Sequence, residues 1–183
     1  GGSRGAVGIN QIMLELLLRL HESEGPAARW QMLWSTGPAH FEQVTRGAQN
    51  IGLDPSEHII NPFIDRMAMA YAAADLVIAR AGALSIAELT ALGRPAVLVP
   101  LPTSAGGHQA SNARGLVRAG AAEMILETDP EAAKKLEAML GEWASAPEKL
   151  QAMAEASRAQ GRPDSAREMA RLVLEVVFNR VLE

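Results

Sequence analysis

Apolar residues recur along this chain with two alternating periods. Ile9, Met13, Leu16, Leu17 and Leu20 fall at i, i+4, i+7, i+8 and i+11, which predicts one face of an amphipathic helix ending near His21. Glu22 to Ala27 carries Ser, Gly and Pro. Arg29 to Trp34 then alternates, with Trp30, Met32 and Trp34 on one side, as a strand does. Ser35-Thr36-Gly37-Pro38 turns the chain into a polar helix from about His40 to Gln49, and Gly52 and Pro55 lead to a short strand at His58-Ile59-Ile60. Asn61-Pro62-Phe63-Ile64 follows, and Met67, Ala70, Tyr71 and Ala74 mark the next helix.

The clearest unit comes next. Leu76-Val77-Ile78 is a continuous apolar run, the mark of a strand buried on both faces, and Arg80-Ala81-Gly82-Ala83 is too small and Gly-bearing to continue it. From Leu84 the period becomes 3.6, with Leu84, Ala87, Leu89, Ala91 and Leu92 predicted on a helix that begins near Ser85, a candidate cap, and stops at Gly93, its C′ residue. A strand, Gly turn and helix in this order aim the N–H groups and positive dipole of the helix start at the carboxyl edge of a sheet, where phosphates bind. Glu88 lies one turn further on. A carboxylate there suits a ribose diol, because it accepts from two hydroxyls at once.

Pro95 to Pro100 brackets another buried strand, and Pro102 to Gly107 forms the longest loop. His108-Gln109 is placed at the start of a helix carrying Ala113, Leu116 and Val117, Ala121 to Leu126 reads as a strand, and Pro130 to Trp143, Pro147 to Gln160 and Ala166 to Leu182 read as helices. Strands alternate with helices, which predicts an α/β fold: a Rossmann-like parallel sheet with helices on both faces. Ligands of such sheets sit at the carboxyl ends of the strands, where Ser3, Ile64, Ala83, Ser85 and His108-Gln109 all fall. The Gly turn Gly1-Gly2-Ser3-Arg4-Gly5 is of the kind that follows a strand, so a strand is expected before residue 1; the alternative is that Gly1 and Gly2 are an appended remnant.

Composition narrows the partners. A net charge of -4 without a basic block, and an aromatic content of 4%, argue against nucleic acid. The absence of cysteine removes disulfides, Cys-ligated zinc and thiol catalysis, and suits a reducing compartment. No apolar run approaches the ~20 residues of a membrane span, so no transmembrane segment is expected. His21, His40 and His58 have no metal-ligand spacing and read as surface or strand-end residues, while the Met67-Met69 and Trp30-Trp34 pairs read as core filling. Arg80 could contact a diphosphate, but an Arg at a strand end more often pairs with a neighbouring carboxylate. Gly1-Gly2-Ser3-Arg4-Gly5 also spells the nucleophile elbow of α/β-hydrolases with Ser3 as nucleophile, yet that chemistry needs a late His and the last one is His108.

Four segments in register carry a resemblance: Gly1-Gly2-Ser3-Arg4-Gly5-Ala6, Pro62-Phe63-Ile64-Asp65-Arg66-Met67, Arg80-Ala81-Gly82-Ala83-Leu84-Ser85 to Glu88, and His108-Gln109-Ala110-Ser111-Asn112-Ala113. In order and spacing they resemble the C-terminal half of the MurG family, bacterial UDP-N-acetylglucosamine transferases of peptidoglycan synthesis. The resemblance implies a GT-B glycosyltransferase whose C-terminal domain holds UDP-N-acetylglucosamine and whose N-terminal domain, with the proposed histidine base, holds the lipid-linked acceptor. It implies residues 1–162 as the nucleotide-sugar domain lacking its first strand, and residues 163–183 as a C-terminal helix packing toward the N-terminal domain. It implies that Glu88 binds the ribose hydroxyls, that the Ile64 backbone reads the uracil edge, that Ala83, Leu84 and Ser85 face the diphosphate with Ser3 beside them, and that His108 and Gln109 contact the sugar. No cofactor or metal is implied. The full-length protein would be an inverting hexosyltransferase, cytoplasmic and peripheral on the cytoplasmic face of the plasma membrane, and this portion alone would transfer no sugar. The other reading of a different class is a nucleotide-sugar-binding module that acts only beside a separate acceptor-binding chain.

Overall fold

The computed structural model of the chain describes residues 6–23, 25–53 and 58–181. In order these residues form helix α1 (Val7–His21), strand β1 (Met32–Ser35), α2 (Phe41–Ile51), β2 (His58–Asn61), α3 (Met67–Ala73), β3 (Val77–Ala79), α4 (Ala83–Leu92), β4 (Ala96–Leu98), α5 (His108–Arg118), β5 (Ala122–Met124), α6 (Ala132–Ser145), α7 (Pro147–Ala159) and α8 (Ser165–Val181). Short 3-10 turns at Pro26–Arg29, Pro38–His40 and Ala105–Gly107 complete the connections. Every strand pairing is parallel, as the alternation of strands and helices requires.

Among the described residues the strands form two pieces, β1 with β2 and β3-β4-β5, rather than one sheet. One core nevertheless joins them. Trp34 of β1 and Ile60 of β2 share a cluster with Ile78 of β3, Val97 of β4 and the α1 residues Ile9, Met13, Leu16, Leu17 and Leu20. The predicted face of α1 is therefore its buried face, and it packs against α6 and α2. A second cluster, of Ala81, Leu89, Leu98, Ala113, Leu116 and Ala122, binds α4 and α5 to the other side of β4. β4 is buried at all three positions, which explains its unbroken apolar run.

Two local expectations are corrected. α4 starts at Ala83, with Gly82 in extended conformation at the N-cap position and no side-chain cap, so Ser85 lies inside the first turn. Its buried residues are Leu89 and Thr90, whereas Leu84 is 82% exposed and Leu92 also faces out. Gly93 does end the helix in the left-handed conformation, with φ at 62°, where a Cβ would be strained. The Met pair fills no core, since Met69 is exposed and Met67 half-buried; Trp34 is buried and Trp30 packs partly against the same core, its indole N–H donating to the Leu140 carbonyl at 3.0 Å.

Candidate functional site

Four elements converge on the carboxyl ends of β3 and β4. β3 ends at Ala79, Arg80 and Ala81 follow in extended chain, and Gly82 allows α4 to begin at once. With no side chain at Gly82 to cap the helix, the N–H groups of Ala83, Leu84 and Ser85 are left without intrahelical acceptors. The first turn projects outward, Ala83 and Leu84 being exposed and Ser85 half-buried. This is an uncapped positive helix end on an open ledge.

Glu88 stands one turn further along α4 and is exposed. Its Oε2 accepts a hydrogen bond from the Tyr71 hydroxyl at 3.1 Å. Tyr71 comes from α3, the helix that follows the Pro62–Arg66 loop in which Ile64 is half-buried. Burial, then the Glu88 charge, then this hydrogen bond push the Tyr71 phenol up to about 12, and it remains a donor at neutral pH.

The third wall is the start of α5. Gly106 and Gly107 take positive φ values of 56° and 66°, which curls the loop beneath His108, the exposed first residue of the helix. Gln109 accepts the Leu101 backbone N–H on Oε1 at 3.0 Å, which orients its amide N–H2 as the group that can donate to a ligand. One helical turn after His108, the Asn112 side chain donates to the Ala81 carbonyl at 3.1 Å and ties α5 to the turn that starts α4.

Arg80 holds the floor. It donates to the carbonyls of Val99 and Pro100 at 3.1 and 3.3 Å and pairs with Glu127, the pairing that its strand-end place favoured. The Glu127 carboxyl lies where a Cβ on Gly8 would stand, so the same ion pair crosses the first turn of α1.

Ala83, Leu84, Ser85 and Glu88 thus follow the carboxyl end of β3, His108 and Gln109 that of β4, and Ile64 that of β2 in the other sheet piece, while Ser3 lies outside the described residues. Sequence reading missed Tyr71, Asn112 and Glu127 as site-forming residues. Asn112 stands at i+4 from His108 and was open to helical spacing; the Tyr71 to Glu88 contact joins two helices and left no local trace. The ledge is open. A shallow, open hollow of about 300 Å³ between Ser23, Ala27, Lys134 and Glu137 lies elsewhere. Among the described residues no group of His, Asp and Glu side chains could hold a metal ion, and no helix is long and apolar enough to cross a membrane.

A profile of the glycosyltransferase family 28 C-terminal domain matches residues 1–169. The chain belongs to this family. A relative from Chlorobaculum parvum, named UDP-N-acetylglucosamine--N-acetylmuramyl-(pentapeptide) pyrophosphoryl-undecaprenol N-acetylglucosamine transferase, is 45% identical over 93% of this chain and 44% of its own length. A protein of the same name from Oenococcus oeni is 36% identical over 100% of this chain and 48% of its own. The family 28 chain described here spans about half the length of the relatives it matches. The crystal structure of Acinetobacter baumannii MurG superposes with a TM-score of 0.76 at 30% identity, over 96% of this chain and 50% of that one. The family 28 domain accordingly has the Rossmann-like α/β fold of the C-terminal half of a GT-B glycosyltransferase.

Proposed function

We propose that this chain is the donor-binding half of an inverting glycosyltransferase. The full-length enzyme would transfer N-acetylglucosamine from its UDP conjugate to the undecaprenyl-pyrophosphoryl-MurNAc-pentapeptide lipid of peptidoglycan synthesis. The observation that carries this reading is the ledge: an uncapped helix start at Ala83 with the Glu88 carboxylate one turn behind it, in a family 28 domain whose named relatives act on that donor.

In this reading the acceptor hydroxyl attacks the anomeric carbon, the bond to the diphosphate oxygen breaks, and UDP leaves with the electron pair. The hydroxyl proton goes to a base in the acceptor-binding half. The N–H groups of Ala83, Leu84 and Ser85 meet the charge that develops on the leaving diphosphate, the preorganised form of stabilisation in which fixed dipoles need no rearrangement. Ser3 is a further diphosphate contact in this reading. Glu88 takes the ribose diol, the Ile64 backbone the uracil edge, and Gln109 with His108 the sugar hydroxyls. The exposed apolar residues of α8, among them Met169, Leu172, Val173, Val176 and Val177, form the face that packs toward the acceptor-binding half, and the assembled enzyme works at the cytoplasmic surface of the plasma membrane.

Titration calorimetry or ligand-observed NMR tests the donor site. UDP is expected to bind the chain weakly, at about -4 to -6 kcal/mol, because the ledge is open where a second lobe would close it. Glu88→Gln should weaken UDP roughly tenfold by removing charge-assisted bonds while keeping the shape. 2′,3′-Dideoxy-UDP should bind weakly to both proteins alike. No UDP binding by folded protein, or equal loss for UDP and its dideoxy analogue in the variant, would overturn the assignment.

A further inference from the structure

An exposed carboxylate on a helix samples several rotamers, and each must be frozen before it can hold a diol. Glu88 meets a constraint on that freedom from the neighbouring helix. α3 is seven residues long and has no fully buried side chain, so apolar burial alone does little to place it. Polar contacts at two points tie it to the α4 region. At one, Tyr71 donates to Glu88 Oε2 at 3.1 Å, its ring packed partly against Leu89, Leu98 and their neighbours. At the other, Arg94, just beyond the α4 cap, donates to the carbonyls of Ala74 at 3.0 Å and Ala72 at 3.2 Å.

We propose that Tyr71 is a positioning residue for the donor site, holding the Glu88 carboxylate in the rotamer that accepts both ribose hydroxyls. The inference rests on the donor-site reading above and adds to it a residue that touches no part of the ligand. The stereochemistry permits it, since a carboxylate has about four acceptor directions and the phenol takes one, leaving both oxygens able to accept from the diol. The phenol stays protonated through the neutral range, so the donor is always present. Glu88 in turn is kept out of the unproductive rotamers.

The test compares UDP and 2′,3′-dideoxy-UDP on the unmutated chain, Tyr71→Phe, Glu88→Gln and the double variant. Tyr71→Phe should weaken UDP about two- to tenfold, the range of one hydrogen bond, and leave the dideoxy analogue unchanged. The double variant should bind UDP no more weakly than Glu88→Gln, because the tyrosine acts through that carboxylate. A tyrosine that serves only packing would lower both nucleotides together, or lower the melting temperature and neither; each result overturns the proposal. If Glu88→Gln weakens UDP and Tyr71→Phe does not, the ribose role stands and the positioning role falls. If Glu88→Gln leaves UDP binding intact, the donor-site reading fails, and the positioning role with it. Should Tyr71→Phe not fold, the chain's one tyrosine provides a second measurement. Ultraviolet titration of that phenol should give a value well above the ordinary 10.0, and Glu88→Gln should lower it. A phenol that titrates at the ordinary value beside an intact Glu88 overturns the contact on which the proposal stands.

Discussion

A guanidinium at the end of a buried strand has to be answered, and Arg80 is answered by the Val99 and Pro100 carbonyls and by Glu127. Its side chain is 13% exposed and that of Glu127 24%, so the pair is largely withdrawn from water and removal of one partner strands the other. Arg80→Met is therefore expected to destabilise the fold by about 3 kcal/mol, measured by urea denaturation, and Glu127→Gln in the same background should recover part of that loss. A loss in Arg80→Met no greater than that of an exposed arginine would show that the pair contributes little. The same residue explains why no basic side chain is turned toward the ledge from the β3 end: its charge is spent inside the carboxyl edge, and the N–H groups of α4 are what a diphosphate meets there.

At the scale of elements, the apolar stripe and the buried stripe of α4 are different. Leu84 and Ala87 recur at helical spacing but are exposed on the side of Glu88, with Ala91 half-buried, while Ile86 and Leu89 meet the second core and Thr90 is buried. α7 adds a second contact to α4: just beyond its C-cap the chain runs so close that a Cβ at Gly161 would stand 2.5 Å from the Thr90 carbonyl oxygen. That atom is backbone and cannot rotate away. Gly161→Ala should thus push α7 off α4 at a cost of roughly 1–3 kcal/mol, seen as a lower thermal midpoint, and should weaken UDP through the displaced helix start. Unchanged stability in that variant would mean that α4 is seated by the sheet alone.

For the molecule as a whole, the informative feature is an apolar strand that is not fully covered. Leu76 to Ile78 reads as a strand buried on both faces, yet β3 is only half-buried along its length, in contrast to β4 beside it. Among the described residues, β1 pairs on one edge with β2 and β3 on one edge with β4. The two pieces share a core without pairing to each other among those residues, so β3 keeps one edge without a partner strand while β4 is paired on both. Amides of β3 are therefore expected to exchange faster than those of β4, measured by hydrogen exchange of the folded chain. Equal protection of the two strands would show that the partial cover of β3 costs it no local stability.

Hydrophobic periodicity and turn chemistry determined the α/β class, the buried face of α1 and the strands at His58 and Val97, because both are local properties of neighbouring residues. Tertiary structure decided what depends on two elements meeting. It selected the buried side of α4 through the core shared with β4 and α5, turned Arg80 inward onto Glu127, brought Tyr71 to Glu88 across 17 positions of chain and Asn112 to Ala81 across 31. Those contacts carry no periodic signal, since a hydrogen bond between helices is set by how their packed faces cross and not by the spacing of residues within either one.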